Sequence, residues 1–307
     1  LIGTDPDADR CGIVVKVPEG QEDVYGGSYY LLPADDAWTL LLWYRLNREC
    51  GDDGQVADAE RKFATLSMTT SDAITKLVLK HGLGIVKTWV GFAALAGSTG
   101  MVWRGEVEPL LKLSDGRDGE TYKLLCHPMV CECMNMDAKR DFNIGAMEQS
   151  NGFSLLGGPP KDFRSLGEDG HVRDKDGTFA AVLMTELAAW AKERGTNLIE
   201  LLDQNVYLDP DIGLFANFYE PDPMDGEYPG IAGDRQKTAI LRRALGLLQM
   251  ALAGDLEIAG KPVKHATIYR TGKYDEIYPQ THDFVFPDEG VRFFFDAERL
   301  QHLTIRP

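Results

Sequence analysis

The chain has 307 residues, 44% of them hydrophobic and 26% charged, so it can bury enough apolar area to fold and is not predominantly disordered. Its 48 acidic and 32 basic side chains give a net charge of −16, which argues against nucleic acid or anionic membrane as a partner. No stretch approaches the roughly 20 apolar residues that span a bilayer, and five cysteines, an odd number in a chain of this length, favour a reducing, cytoplasmic location over a disulfide framework.

The first part of the chain predicts strands that alternate with helices. A β-branched run at 12–17 predicts a strand directly after an acidic turn, and apolar residues at helical spacing predict a helix over 34–48. A strand at 62–68 is followed by a helix that is capped by Ser71 and ended by Gly82, and then by a strand at 85–89. This order predicts a layered α/β fold with a parallel sheet.

The remainder of the chain is less regular. Between about 94 and 145 the pattern loosens and predicts an insertion, whereas an amphipathic helix is expected between Asp176 and Gly195. Residues 204–233 are rich in Pro, Gly, Asp and Tyr and predict a linker with turns. A helix over 235–253 and strands at 265–270, 291–295 and 303–306 then predict a distinct α+β module.

An acidic turn near the start of the chain is the first candidate site. Asp5, Asp7 and Asp9 alternate along it and are followed by Arg10, so their oxygens can converge on one hard cation. The pattern does not fit an EF-hand, because Arg10 and Lys16 stand where that loop requires Gly and Glu. Two interpretations stay open: a solvated acidic turn, and a metal that shares its site with an anion bound by the arginine.

Two further polar motifs lie in the middle of the chain. Glu148 and Ser150 flank a glutamine, and a carboxylate beside a hydroxyl suits the vicinal hydroxyls of a sugar, although an ordinary polar turn would have the same composition. His171, Arg173 and Lys175 alternate directly ahead of a predicted helix. That arrangement suits a phosphate or alkoxide, or else a solvated charged loop.

Together these motifs resemble those of the α-D-phosphohexomutases, and most closely the phosphoglucomutases. Residues 3–10, Gly-Thr-Asp-Pro-Asp-Ala-Asp-Arg, look like the family's magnesium loop. Residues 148–152 are similar to its Glu-x-Ser sugar loop, and residues 171–177 to its His-x-Arg-x-Lys-Asp-Gly stretch. Residues 88–93 are similar to its Thr-x-Thr-Gly-Phe-Lys loop, with the departures Val90 and Ala93.

The resemblance implies three-layer α/β/α mutase domains with mixed sheets, followed by the start of an α+β C-terminal domain. Residues 1–30 would end the second mutase domain and carry the metal loop, 31–203 would form the third, sugar-binding domain, and 204–307 would form part of the fourth. The family's phosphoserine lies in a Ser-His loop of the first domain, and this sequence contains no Ser-His pair. The family's fourth domain has a phosphate loop that begins Arg-Pro-Ser-Gly-Thr, and the sequence stops at Arg306-Pro307. We expect both ends to be truncated, and the chain by itself to be inactive because it lacks the phosphoserine.

The implied chemistry is reversible phosphoryl transfer between the 1- and 6-positions of a hexose. Glucose 1-phosphate and glucose 6-phosphate would interconvert through glucose 1,6-bisphosphate, with Mg²⁺ as the cofactor and with neither nucleic acid nor membrane as a partner. The implied roles are metal binding by Asp5, Asp7 and Asp9; catalysis by Lys175, His171 and Arg10; and substrate binding by Glu148, Ser150, Arg173, Thr88 and Gly91.

Several alternatives remain. A phosphomannomutase or a phosphopentomutase would share the metal loop, and a protein of another class could bind sugar phosphates or metal without catalysis. The soft ligands Cys126, His127, Cys131 and Cys133 could hold zinc. Their spacing does not match the usual two-pair zinc frameworks, so we expect free thiols there.

Overall fold

The computed structural model describes residues 1–106, 122–126, 129–162, 164–217, 228–271, 288–297 and 299–307, with only the backbone described for 122–126. The chain divides into two compact units. The first comprises Leu1–Leu111 and Glu132–Ala216, and the second Lys112–Cys131 and Asn217–Pro307. The domain boundaries expected at 30 and 203 stay predictions.

The described strands and helices are numbered in chain order. The strands are β1 (Ile2–Thr4), β2 (Cys11–Lys16), β3 (Tyr29–Leu32), β4 (Lys62–Ser67), β5 (Gly84–Thr88), β6 (Tyr122–Cys126), β7 (Glu132–Met134), β8 (Phe142–Met147), β9 (Phe153–Ser154), β10 (Glu257–Ile258), β11 (Lys261–Pro262), β12 (His265–Arg270), β13 (Gly290–Phe294) and β14 (His302–Ile305). The helices are α1 (Glu22–Tyr25), α2 (Ala34–Glu49), α3 (Asp72–Lys80), α4 (Phe92–Trp103), α5 (Gly177–Glu193), α6 (Leu198–Leu202) and α7 (Gly230–Ala253).

The first unit contains a mixed sheet with helices on both faces. Its strand order is β7-β5-β4-β8-β9, with β4 parallel to β5 and β8 and with the outer strands antiparallel. Ala64 and Leu66 of β4 pack into the core that contains α2 and α3. Thr65 lies on the opposite face, because side chains alternate along a strand, and its hydroxyl is 3.0 Å from that of Thr99 in α4. This arrangement confirms the α/β class with a mixed sheet.

The first unit also contains a smaller sheet and two helices whose first turns are capped by side chains. Strands β1, β2 and β3 form an antiparallel sheet in that order. The Ser71 hydroxyl accepts from the amide of Ala73 at 3.2 Å and begins α3. Asp176 likewise accepts from the amide of Phe179 at 2.8 Å and begins α5. Both predicted helix starts are confirmed, because a side-chain acceptor at the N-cap satisfies an amide that lacks an intrahelical partner.

Residues 94–145 were predicted to form an insertion. This prediction was wrong for the described residues of the segment that belong to the first unit. Helix α4 covers the beginning of the segment, and β8, near its end, is an inner strand of the mixed sheet. The helix was missed because small residues dominate it and leave no distinct apolar stripe. The strand was missed because it contains Asn143 and Gly145. The amide of Asn143 is nevertheless satisfied in the core by donating to Thr65 Oγ1 at 3.0 Å.

The second unit has a four-stranded sheet in the order β14-β13-β12-β6. Strand β12 pairs parallel with β6 and antiparallel with β13. Ala244 and Leu248 of α7 pack against Ile268 and Phe293 of the sheet, and β10 and β11 form a short hairpin. The helix and the strands expected after residue 234 are confirmed. Across the described residues of both units, none of the helices has the length and apolar character that a membrane span requires.

Candidate functional site

The acidic turn between β1 and β2 brings its three carboxylates together. Oxygen atoms of Asp5, Asp7 and Asp9 lie within 4.8 Å of one another. The amide of Ala8 donates to the Asp5 carbonyl at 3.0 Å, and Ala8 has a φ of +58°. This left-handed residue folds the turn back on itself, so that side chains at alternate positions point to one place.

Two cations border the carboxylates. Arg10 Nε lies 3.6 Å from Asp5 Oδ2 and 3.3 Å from Asp9 Oδ1. The Lys175 ammonium donates to Asp9 Oδ2. That hydrogen bond holds the pKa of Asp9 below its ordinary value, against an opposing effect of burial, and it raises the pKa of Lys175. The lysine and the acidic turn, which lie 166 residues apart in sequence, are therefore held together by an ion pair.

Helix α5 begins directly against the acidic turn. The amide of Gly177, its first residue, donates to the carbonyl of Ala8 at 3.0 Å. A Cβ atom on Gly177 would lie 2.3 Å from the Arg10 carbonyl oxygen. Glycine is therefore required here for close backbone contact. This contact places the positive end of the helix dipole next to the carboxylates.

The loop at 148–152 is joined to the other side of the acidic turn. Asn151 Nδ2 donates to the Cys11 carbonyl at 3.1 Å, and the amide of Cys11 donates to the Asn151 carbonyl at 3.4 Å. Arg10 and Gly152 form an isolated antiparallel bridge. Asn151 has a φ of +66°, a backbone conformation that asparagine tolerates better than most residues.

Glu148 is buried, with 2% of its surface exposed, and both of its oxygens are engaged. Oε1 accepts from the amide of Gly91 at 2.7 Å, and Oε2 accepts from the Ser150 hydroxyl at 3.0 Å. Trp38 Nε1 donates to the backbone carbonyl of Glu148 at 2.9 Å. The loops at 88–93 and 148–152 are therefore joined through one carboxylate.

The basic side chains ahead of α5 lie in two different surroundings. His171 Nε2 lies 2.7 Å from Asp176 Oδ2, and its ring stacks on Phe179 with 4.3 Å between centroids. Arg173 instead contacts the Ser165 carbonyl and lies over the Trp103 ring. The guanidinium therefore has partners different from those of Lys175.

The remaining predicted residues differ in their surroundings. Thr88 is buried, and its hydroxyl donates to the Trp89 carbonyl at 2.9 Å. Cys131 and Cys133 are buried, whereas the side chain of Cys126 and the whole of His127 lie outside the described residues. The expectation of free thiols in this cluster stays a prediction.

The acidic turn fits a divalent cation by its donor set. Carboxylate oxygens are hard ligands of the kind that bind Mg²⁺, and one oxygen of each of the three carboxylates lies within 4.8 Å of the other two. Asp9 Oδ1 is buried and accepts no hydrogen bond, and its neighbouring cation is Arg10 Nε at 3.3 Å. Elsewhere in the described ranges, no other group of three His, Cys, Asp or Glu side chains is close enough to hold a metal.

Several residues at the site were missed by the sequence analysis. Asn151 and Gly152 join the two loops, and Asp176 both caps α5 and contacts His171. The Asn-Gly pair is itself a turn signal that favours a left-handed backbone. Nothing in the sequence indicates its partner Cys11, because that contact joins segments 140 residues apart.

Comparisons with known proteins give limited similarity. No family model and no curated protein sequence matches this chain. The solved structures similar to it include parafusin (pp63), a phosphoglucomutase from Paramecium in its open form, at 15% identity and a TM-score of 0.46 over 97% of this chain. Another is described as a phosphomannomutase from Thermus thermophilus, at 19% identity and a TM-score of 0.36 over 66% of this chain. The chain spans 36% and 29% of these two proteins, respectively.

Proposed function

We propose that this chain is part of a Mg²⁺-dependent sugar-phosphate mutase of the phosphohexomutase type, acting on glucose phosphates. The observation that carries the proposal is the meeting of three segments within one compact unit. The acidic turn contacts Lys175 through Asp9, and it is joined to the loop of Glu148 through Asn151. Residues 1–30, 31–203 and 204–307 would be the end of the second mutase domain, the third domain and part of the fourth.

The anion-binding part of the reaction is assigned to the acidic turn. Asp5, Asp7 and Asp9 would hold Mg²⁺, which stabilises negative charge on phosphoryl oxygens. The Arg10 side chain is half exposed. Its planar guanidinium can donate to two phosphoryl oxygens at once. Metal and arginine together would offset the charge that accumulates during phosphoryl transfer.

Sugar recognition is assigned to the loop of Glu148 and Ser150. Each carboxylate oxygen of Glu148 already accepts one hydrogen bond. A carboxylate oxygen has a second lone pair, so a sugar hydroxyl would bond to the small exposed part of this carboxylate. The bonds from Gly91 and Ser150 would fix the carboxylate in position before substrate binds. Thr88 and Arg173 stay predicted substrate residues, but Thr88 is buried and Arg173 contacts the Ser165 carbonyl, so neither of them supports the assignment.

Proton transfer is assigned to Lys175 or His171. The hydrogen bond to Asp9 raises the pKa of Lys175, so in this arrangement the amine is held as an ammonium group, which can donate a proton but cannot accept one. His171 is oriented by Asp176 and Phe179. An imidazole ring has two nitrogens, one of which can donate a proton while the other accepts one.

The first test is metal binding by this chain. Asp7 is exposed, so Asp7→Asn removes a ligand charge at little structural cost. We expect calorimetric titration to give one Mg²⁺ site in the wild type and at least about tenfold weaker binding in the variant. The matched control is Glu19→Gln, which removes the same charge at another exposed position. Equal affinities in all three proteins would contradict the proposal.

Substitution of Asp7 also tests whether the reaction depends on the acidic turn. We propose that turnover needs a phosphoserine segment beyond these residues, in a cytoplasmic protein. A coupled assay with glucose 1-phosphate should therefore give no turnover for this chain, whereas a longer gene product with a Ser-His motif should be active and should lose activity on Asp7→Ala. If the longer product prefers mannose phosphates or pentose phosphates, the protein is a phosphomannomutase or a phosphopentomutase instead. Metal and sugar-phosphate binding without turnover in the longer product would select a non-catalytic binding protein.

A further inference from the structure

Lys175 occupies a position inside the candidate metal site. Its ammonium group contacts Asp9 Oδ2, while the other oxygen of that carboxylate is buried, accepts no hydrogen bond and lies 3.3 Å from Arg10 Nε. Only 20% of the lysine side chain and 24% of the aspartate side chain are exposed. The ion pair therefore takes up one of the three carboxylates on which a cation would depend.

The methylene chain of Lys175 is confined by the neighbouring loop. A Cβ atom on Gly152 would lie 2.9 Å from Lys175 Cδ and 3.4 Å from Glu148 Oε2. Lys175 Cδ and Glu148 Oε2 therefore both lie beside Gly152, the residue that bridges to Arg10 of the acidic turn. If the Lys175 amine leaves Asp9, the carboxylate of Glu148 is a second acidic group in its neighbourhood.

We propose that Lys175 and the divalent cation exchange at Asp9. Without metal, the lysine ammonium neutralises the carboxylate, and metal binding displaces the ammonium toward the loop of Glu148. The physical reason is charge. A dication bound to Asp9 would lie within a few ångströms of the ammonium, a distance at which like charges repel. The exchange rests on the proposed function, since it takes the acidic turn as the metal site.

The exchange would couple metal loading to the availability of an amine. In the metal-free protein Lys175 is bound to the Asp9 carboxylate. After displacement, the same amine would lie beside the loop assigned to the sugar. The metal would then have a second effect besides stabilising phosphoryl charge, because it would release the proton carrier only when the site is loaded.

The first experiment compares metal affinities. The chain is titrated with Mn²⁺ at fixed pH, with free Mn²⁺ followed by electron paramagnetic resonance. We expect Lys175→Met to bind about tenfold more tightly than the wild type, because a competing charge is removed, and Lys175→Arg to bind like the wild type. The matched control is Lys192→Met, which removes an exposed lysine at the end of α5 and should leave affinity unchanged. Unchanged or weaker binding by Lys175→Met would overturn the exchange.

The second experiment uses the wild-type chain, so it does not depend on a variant that folds. Lysines are acetylated with an amine-reactive ester at fixed pH, with and without saturating Mg²⁺, and quantified by mass spectrometry. Labelling of Lys175 should rise severalfold with Mg²⁺ while labelling of Lys192 stays constant; a fall or no change overturns the exchange. Absence of Mn²⁺ binding by every protein would refute the proposed function and the exchange together. Wild-type binding without the predicted differences would refute the exchange alone.

Discussion

At the scale of single residues, the acidic turn depends on Gly177, which lies against its backbone. A Cβ atom there would lie 2.3 Å from the Arg10 carbonyl oxygen, so Gly177→Ala must push the turn away from α5. We expect a loss of about 1–3 kcal/mol in the free energy of unfolding and weaker Mg²⁺ binding, measured by urea denaturation and calorimetry. The control is Gly246→Ala in α7, where nothing lies within 4 Å. That change should stabilise by up to about 1 kcal/mol and leave Mg²⁺ affinity unchanged. Equal effects of the two substitutions would contradict this account.

At the scale of elements, the first turn of α2 is joined to the helical segment Asp203–Tyr207 through one carboxyl group. The Tyr207 hydroxyl donates to Asp36, and burial is the main cause that raises the pKa of Asp36 to about 6, with Asp35 adding to the effect. Burial also raises the pKa of Tyr207. The junction is therefore most stable when Asp36 is protonated.

The pH dependence of this junction follows from the two pKa values of Asp36. In the folded state the pKa is about 6, against an ordinary value of 3.8, so the native state holds the proton more tightly and loses this stabilisation as pH rises between those values. Asp36→Asn cannot ionise. Its free energy of unfolding, relative to wild type, should therefore rise by about 2 kcal/mol between pH 4 and pH 7.5. Urea denaturation at both pH values measures the difference, and a difference that does not change with pH would refute the assignment.

At the scale of the whole molecule, the net charge of −16 opposes compactness. Added salt screens this repulsion, so the free energy of unfolding at pH 7 should rise by about 1 kcal/mol as NaCl increases from low to physiological concentration. Near pH 4.8, the isoelectric point of the sequence, the same salt should have little effect. Thermal denaturation in the two buffers measures this, and an equal salt response at both pH values would show that net charge is not its cause.

Local chemistry determined much of the fold in advance. The N-caps Ser71 and Asp176 mark their helices because each satisfies an amide of its own segment, and alternation marks the strands of the second unit. The tertiary structure alone decided that β8 is an inner strand and that the small residues of α4 form a covering helix. In both cases the stabilising partners belong to other segments.

The candidate site shows the same division. The sequence by itself determined which side chains carry charge and that Asp5, Asp7 and Asp9 alternate along one turn. Only the tertiary structure decided that Lys175 contacts Asp9 and that Glu148 is buried with both oxygens engaged. The physical reason is that residue type and spacing define what a group can bond to, whereas its actual partner is set by packing between segments far apart in the chain.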